Sequence, residues 1–255
     1  MIKMTKIIIT GCSGKMGASI INAAALRDDI TIAAGVDIAA PKNADFIYAQ
    51  KLSELECDAD AIVDFSNPAL LDELLEYAQA KKLPAVICTT GFSEEQRNKI
   101  KKASENIPVF YSGNMSLGIN LITELAKKAA AVFGDSFDVE IVEQHHNQKL
   151  DAPSGTALMI ADAISQVRDE TEYVYDRHSY RKKREKKEIG IHSIRGGSIV
   201  GEHEVIFAGQ DEILTISHSA RSKTVFAVGA LNAAVFLKGK KPGMYDMSDL
   251  LRETD

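Results

Sequence analysis

The sequence predicts an α/β fold in its first half, a parallel sheet covered by helices on both faces. In the second half it predicts an α+β arrangement with a mixed sheet. Three observations carry this reading. Short β-branched runs alternate with amphipathic segments up to about residue 114. A glycine-rich turn stands directly after the first run, and from residue 139 onward strand signals outnumber helical ones. Alternation of strand and helix is the pattern of βαβ units, whereas strands separated by turn-length gaps pair as neighbours.

The elements follow in order. Ile7-Ile8-Ile9-Thr10 shows no polar alternation, as in a strand buried on both faces. Helical spacing runs from Met16 to Leu26, and Thr31–Val36 and Ala61–Phe65 are the next strands. Ser66-Asn67-Pro68 reads as a helix start, cap residues with proline in the first turn. Leu70, Leu71, Leu74, Leu75 and Ala78 then recur on one helical face. Ala85–Cys88 is a strand, Ser93-Glu94-Glu95-Gln96 is a capping box opening a helix to about Glu105, and Val109–Tyr111 is a strand. A long helix is predicted over Leu117–Phe133. Strand signals follow at Val139–Glu143, Gly190–Ile194, Ile199–Ala208 and Ile213–His218, the last two joined by a hairpin-like turn at Gly209–Glu212. Val225–Leu237 is apolar nearly all round and needs a buried seat.

Composition excludes several classes. A hydrophobic share of 45% with 26% charged residues is that of a globular chain, not of a disordered, collagen-like or coiled-coil one. The net charge of −6 argues against nucleic acid as a partner, because a phosphate backbone demands local positive charge. Cys12, Cys57 and Cys88 form no CxxC pair and cannot complete a disulfide framework, so a reducing cytoplasm is expected. The Val225–Leu237 stretch is interrupted by Gly229 and Asn232 and is too short to span a bilayer, and the first residues lack the long apolar core of a secretory signal; no membrane association is expected. Residues Arg177 to Glu188 are strongly basic, but interleaved glutamates make a solvated loop or helix the expected form.

The turn after the first strand reads Gly11-Cys12-Ser13-Gly14-Lys15-Met16-Gly17. Glycines at its first, fourth and seventh positions form a variant of the dinucleotide fingerprint. The backbone there can approach a pyrophosphate at a helix N-terminus, where free N–H groups and the macrodipole favour negative charge. Asp37 closes the second strand, 20 residues beyond Gly17, where an acid accepts hydrogen bonds from the adenosine ribose. The first domain is therefore read as Rossmann-like. A Walker A loop is excluded, because only two residues separate Gly11 from Gly14-Lys15 and Met16 follows. Asp37 disfavours a 2′-phosphate and points to NADH, while Lys42 could reach such a phosphate; NADH and NADPH both stay open.

Residues 143–157 are the most informative stretch: Glu143-Gln144-His145-His146-Asn147-Gln148-Lys149-Leu150-Asp151-Ala152-Pro153-Ser154-Gly155-Thr156-Ala157. Ser154-Gly155-Thr156 opens a helix and offers hydroxyls and N–H groups to a carboxylate. Lys149 adds a cation, and a neighbouring histidine exchanges protons near neutral pH. The combination grips an acid and moves a proton. A metal is not expected: His145 and His146 would point to opposite faces of a strand, and no HExxH or CxxC accompanies them.

This segment resembles the hallmark of the 4-hydroxy-tetrahydrodipicolinate reductase (dihydrodipicolinate reductase) family, E-x-H-H-x-x-K-x-D-A-P-S-G-T-A, at every fixed position. The resemblance continues through Gly11–Gly17, Val63–Ser66, Thr89–Phe92, Ser112–Ser116, Ile191–Gly197 and Val200–Glu204, in order along the chain. It implies an NAD(P)H-dependent reduction of 4-hydroxy-tetrahydrodipicolinate in lysine and diaminopimelate biosynthesis. His145 is implied as general acid/base and Lys149 as proton donor, with His146, Gly155 and Thr156 on a small dicarboxylate substrate; Ser154 joins them on chemistry. Cys88, Thr89, Thr90, Ser112, Gly113, Asn114 and Met115 would line the nicotinamide side, and Gly11, Cys12, Ser13, Gly14, Lys15, Met16 and Asp37 the rest of the cofactor. The implied architecture is a dinucleotide-binding domain of residues 1–114 and 226–255, with residues 115–225 inserted for substrate binding and oligomerisation, typically as a homotetramer. Two positions depart from the family pattern: Ser66-Asn67 stands where an arginine is common, and Cys88 replaces a glycine. Two other functions stay open, another NAD(P)-dependent amino-acid-pathway dehydrogenase and a non-catalytic NADH-binding redox sensor. The His-His…Lys…Ser-Gly-Thr segment speaks against the first, and the lack of a helix-turn-helix before the first strand against the second.

Overall fold

The computed structural model describes residues 4–41, 45–179 and 181–253. The chain divides into two compact units, Met1–Leu117 with Lys223–Asp255, and Gly118–Ser222. The first opens with β1 (Thr5–Thr10), α1 (Lys15–Ala24), β2 (Ile30–Val36), β3 (Ile47–Ala49), β4 (Ala61–Asp64), α2 (Leu71–Lys81), β5 (Ala85–Ile87), α3 (Glu94–Ala103) and β6 (Pro108–Tyr111). The second is built from α4 (Leu117–Phe133), β7 (Asp138–His145), α5 (Gly155–Ser165), β8 (Glu172–Val174), β9 (Glu188–Arg195), β10 (Gly201–Ala208) and β11 (Ile213–Ala220). The chain then returns to the first unit as α6 (Thr224–Leu237), β12 (Gly243–Tyr245) and α7 (Met247–Arg252).

The first unit is a seven-stranded sheet in the order β12-β6-β5-β4-β1-β2-β3, with every pairing parallel. The unbroken Ile7-Ile8-Ile9 run has its reason in the two faces. Ile7 and Ile9 pack toward α1, α6 and α7, while Ile8 packs with Leu71, Leu74 and Ile100 of α2 and α3. The all-apolar helix α6 finds its seat here: Ala227, Ala230, Leu231, Ala234 and Leu237 are buried against the strands and α1. Ser93 caps α3 through the anticipated reciprocal bonds with Gln96, and Asn67 Oδ1 accepts from the Ala69 N–H at 2.9 Å. The Rossmann-like parallel sheet is thus present as read.

The second unit is a five-stranded mixed sheet, β11-β10-β7-β9-β8. β10 is antiparallel to β7 and β11, whereas β9 runs parallel to β7 and β8. Ile119, Ile122 and Ala126 of α4 and Ala157, Ile160 and Ile164 of α5 cover one face over Val139, Ile141, Ile191, Val205 and Phe207. Burial along β7 alternates strictly, so Val139, Ile141, Glu143 and His145 all face the helices.

The structure differs from the sequence reading at several points. β7 ends at His145, so His146 lies in the following loop and not on the opposite strand face. The strand placed at Ile199 begins at Gly201, and β3, β8, β12 and α7 were not anticipated. The described residues of the basic run form no helix and are tied down by ion pairs. Arg184 reaches Asp138 and Glu140, both at 2.9 Å; Arg177 reaches Glu188 at 2.5 Å; Lys182 pairs with Glu185 at 2.8 Å and Lys187 with Glu172 at 3.1 Å. Among the described residues no helix is long and apolar enough to cross a membrane.

Candidate active site

In the first unit, the residues expected at a cofactor follow the C-terminal ends of parallel strands, which share one edge of the sheet: Gly11 after β1, Asp37 after β2, Cys88 after β5 and Ser112 after β6. The order of strands reverses between β1 and β4, the position where open α/β sheets take their ligands. Gly11 adopts φ +77°, and a Cβ there would run into the Phe65 carbonyl. A Cβ on Gly17 would run into the carbonyls of Gly11 and Cys12. Both positions require glycine, one for the turn and one for helix-to-loop packing. Gly14 is different: its Cβ would meet only the Gly11 carbonyl, at 3.3 Å. The first N–H groups of α1, from Lys15 and Met16 onward, have no helical carbonyl to serve.

Asp37 is tied to this loop. Its Oδ2 accepts from the Ser13 N–H at 2.9 Å and its Oδ1 from the Ile38 N–H at 2.7 Å. The Ser13 hydroxyl donates to the Ala39 carbonyl. Asp37 also lines a cavity of about 500 Å³ with Gly11, Gly14, Ile38, Asn67 and Glu73. The lining holds two carboxylates, Asp37 and Glu73, and no lysine or arginine among the described residues. Lys42 lies outside the described residues.

Not every expected cofactor residue offers its side chain. Cys12 is buried in the core under Gly35, and Met115 is buried beside Gly229, so any approach to a cofactor there is through the backbone. Cys88 is buried too; burial pushes its thiol well up, with Asp64 adding to the effect. Thr89 fits the expectation better, since its buried Oγ1 has no hydrogen-bond partner among the described residues. Thr90 is exposed, and Ser112 and Asn114 fold the loop after β6 through Ser112 Oγ donating to the Asn114 carbonyl at 2.9 Å. Glycines that admit close approach, free helix N–H groups and an orphaned hydroxyl on one sheet edge fit a dinucleotide.

In the second unit, the end of β7 gathers the chemistry. Glu143, fully buried, lies two residues before His145 and therefore on the same face. Its Oε2 accepts from His145 Nδ1 at 2.5 Å and from Arg195 at 2.8 Å; its Oε1 accepts from Arg195 at 2.7 Å and from the Ser154 N–H at 3.1 Å. Burial pushes the Glu143 carboxyl up, but Arg195, Ser193 and His145 outweigh it and lower it to about 2. Burial lowers the basicity of His145; Glu143 opposes this, and Lys149 and Arg195 reinforce it. Lys149 Nζ meets Asp151 at 2.8 Å.

Ser154 caps α5 as read, its Oγ accepting from the Ala157 N–H at 3.2 Å. Ser154 is only 2% exposed, and its Oγ also bonds His203 Nε2 at 3.1 Å. Gly155 has open space beside its Cα, and Thr156 follows it in the first turn of α5. His146 is partly exposed in the loop. Among the described residues no group of three His, Cys, Asp or Glu could hold a metal ion.

Comparison with known proteins decides the family. The sequence profile described as dihydrodipicolinate reductase, N-terminus, matches residues 5–115, and that described as dihydrodipicolinate reductase, C-terminus, matches residues 118–251. The chain belongs to the dihydrodipicolinate reductase family.

Similar curated members of this reductase family are the 4-hydroxy-tetrahydrodipicolinate reductases of Caldanaerobacter subterraneus subsp. tengcongensis and Clostridium tetani. The first is 52% identical over 98% of this chain and 99% of the relative. The second is 49% identical over 97% of each. Among solved structures, the dipicolinate-bound dihydrodipicolinate reductase from Paenisporosarcina sp. TG-14 is similar with a TM-score of 0.81 at 25% identity, covering 95% of this chain and 97% of that one. The WlbA dehydrogenase from Bordetella pertussis shares the fold at a TM-score of 0.62 and 14% identity, covering 99% of this chain and 94% of that one.

Sequence reasoning on the reductase segment missed Glu143, Arg195 and His203 as members of the cluster. Glu143 was legible in principle, since strand period two puts it on the face of His145. Arg195 and His203 arrive from β9 and β10, through pairings no local pattern announces. Asp64 was also missed. Buried at the end of β4, it accepts from Thr10 Oγ1 at 2.6 Å and from the Ser66 N–H at 3.2 Å, and so fixes both sides of the β1/β4 crevice.

Proposed function

We propose that this chain reduces 4-hydroxy-tetrahydrodipicolinate to tetrahydrodipicolinate in lysine and diaminopimelate biosynthesis, with a reduced nicotinamide as electron source. The observation that carries the reading is the cluster at the end of β7, a buried Glu143–His145 pair with Lys149 and the open start of α5, in a chain of this family. The nicotinamide, when bound, supplies hydride to the substrate ring. The protein supplies position, charge and the proton. Gly11, Gly14 and the first N–H groups of α1 would meet the pyrophosphate, and Asp37 the adenosine ribose. Cys88, Thr89, Thr90 and Ser112–Met115 would flank the nicotinamide, Cys12 and Met115 through their backbones.

On the substrate side, Lys149, His146 and the N–H groups of Gly155 and Thr156 would face the two carboxylates. Negative charge grows on the substrate as hydride arrives, and Lys149 or His145 releases a proton to it. The first unit serves as the dinucleotide-binding domain and the second as the substrate-binding and oligomerisation domain. The two carboxylates lining the adenosine-side cavity, with no lysine or arginine beside them among the described residues, support NADH over NADPH. A homotetramer is proposed through the second unit's sheet, whose edge strand β11 leaves Ile213 and Leu214 exposed. The cytoplasm is the proposed compartment.

The test is loss of nicotinamide absorbance when the full chain is given substrate condensed from pyruvate and aspartate semialdehyde. Turnover with NADH, at a higher kcat/KM than with NADPH, is expected; no turnover with either would overturn the assignment. Light scattering would report the tetramer.

A further inference from the structure

We infer that Glu143, held by Arg195, is the positioning residue of His145: it fixes the imidazole with its proton on Nδ1 and presents Nε2 as the exchanging atom. This rests on the role proposed above for His145. An ionised carboxylate only accepts, so the 2.5 Å contact to Oε2 assigns the Nδ1 proton. One further contact stops the ring from turning. His203 packs edge-on against it, centroids 5.2 Å apart, and is itself held by Ser154 Oγ at 3.1 Å. Gly201 keeps Nε2 clear, since a Cβ there would stand 3.3 Å from that atom.

Arg195 does more than hold the carboxylate. It sits opposite His145 in the β7–β9 register and grips both Glu143 oxygens, with a further bond from its second nitrogen to the Asp151 carbonyl at 2.7 Å. The Glu143 carboxylate favours the protonated imidazole; burial opposes it most strongly, and Lys149 and the Arg195 guanidinium add to that opposition. The charged and titratable groups facing His145 are Glu143 on its own strand, Arg195 from β9, His203 from β10 and Lys149 from the following loop, the last paired with Asp151.

The experiment compares the full-length wild type with Glu143→Gln and Arg195→Gln. Two-dimensional ¹⁵N NMR of the histidine rings, without substrate, reads the His145 tautomer and its titration. Turnover is measured beside it. The wild type is expected in the Nδ1–H form. Glu143→Gln should move the His145 midpoint down and Arg195→Gln should move it up, each by about one pH unit. Turnover should fall about 10- to 100-fold in both, with nicotinamide KM within about twofold. Opposite shifts are something general loosening cannot produce. An Nε2–H tautomer in the wild type, or shifts of the same sign, would overturn the inference. If Glu143→Gln fails to fold, Glu143→Asp, which keeps the charge at a shorter reach, and the wild-type tautomer still decide it. Absence of reductase activity in the wild type would strike the proposed function, and the NMR readings would stand apart from it.

Discussion

Replacing His203 by glutamine is expected to remove a large part of the protein's sensitivity to mild acid. The imidazole is 4% exposed, bonded to Ser154 at one nitrogen and, among the described residues, without a partner at Nδ1. Burial, reinforced by His145 nearby, lowers its pKa from 6.5 to about 4. A group whose folded value is depressed gives its full contribution above its unfolded value, so His203 is harmless above pH 6.5 and destabilises the fold as pH drops toward 4. Integrating between those two values gives a loss of about 2 kcal/mol by pH 5 and about 3 kcal/mol by pH 4, relative to neutral pH. Glutamine keeps a donor for Ser154 Oγ and does not titrate. Urea unfolding of both proteins at pH 7.5, 6 and 5, at one protein concentration, measures the difference directly. His145 and His218 are also lowered by burial, and both act on His203, so the measured difference includes their coupling to it. A stability difference that stays constant from pH 7.5 to 5 would refute the reasoning.

Four other outcomes are expected. His145→Gln or Lys149→Ala should lower kcat by about 10²- to 10⁴-fold while nicotinamide Kd, read by fluorescence, stays put. Gly17→Ala, which drives a methyl into two backbone carbonyls, should cost about 1–3 kcal/mol in thermal stability and weaken nicotinamide binding; Gly14→Ala should do much less, and equal effects would contradict the roles given to the two glycines. Phe207→Ala, a fully buried ring, should destabilise the second unit by about 3–5 kcal/mol in urea unfolding. Arg184→Met should lower stability by about 1–3 kcal/mol through the carbonyls of Val139 and Glu188 that it bonds, with kcat unaltered.

Local chemistry made much of this molecule readable. The Ile7-Ile8-Ile9 run, the Ser93–Gln96 box and the Ser154 cap are decided by neighbours within a few residues, and each stands where the pattern put it. The strands β3, β8 and β12 are three residues long, too short to show a period, and owe their existence to a partner strand. The candidate site divides in the same way. His145, Lys149 and the α5 start are contiguous in sequence and legible together. Arg195 and His203 join them through strand pairings 50 or so residues away, which only the folded sheet reveals. Ser154 was half legible: its role as cap follows from residue type, while its bond to His203 turns the hydroxyl inward.

The late return of the chain has a consequence for biosynthesis. The sheet of the first unit begins with Thr5, yet the helix that closes one of its faces is α6, beginning at Thr224. Until the ribosome has made residues 224–237, Ile7, Ile9, Val63 and Val86 lack that cover. The inserted unit, with its own core, is complete at Ser222. Domains translated from the N-terminus ordinarily fold first. Here the order is inverted: the interior segment can finish while the segment translated before it still waits for its last apolar helix, exposed to chaperones and to self-association.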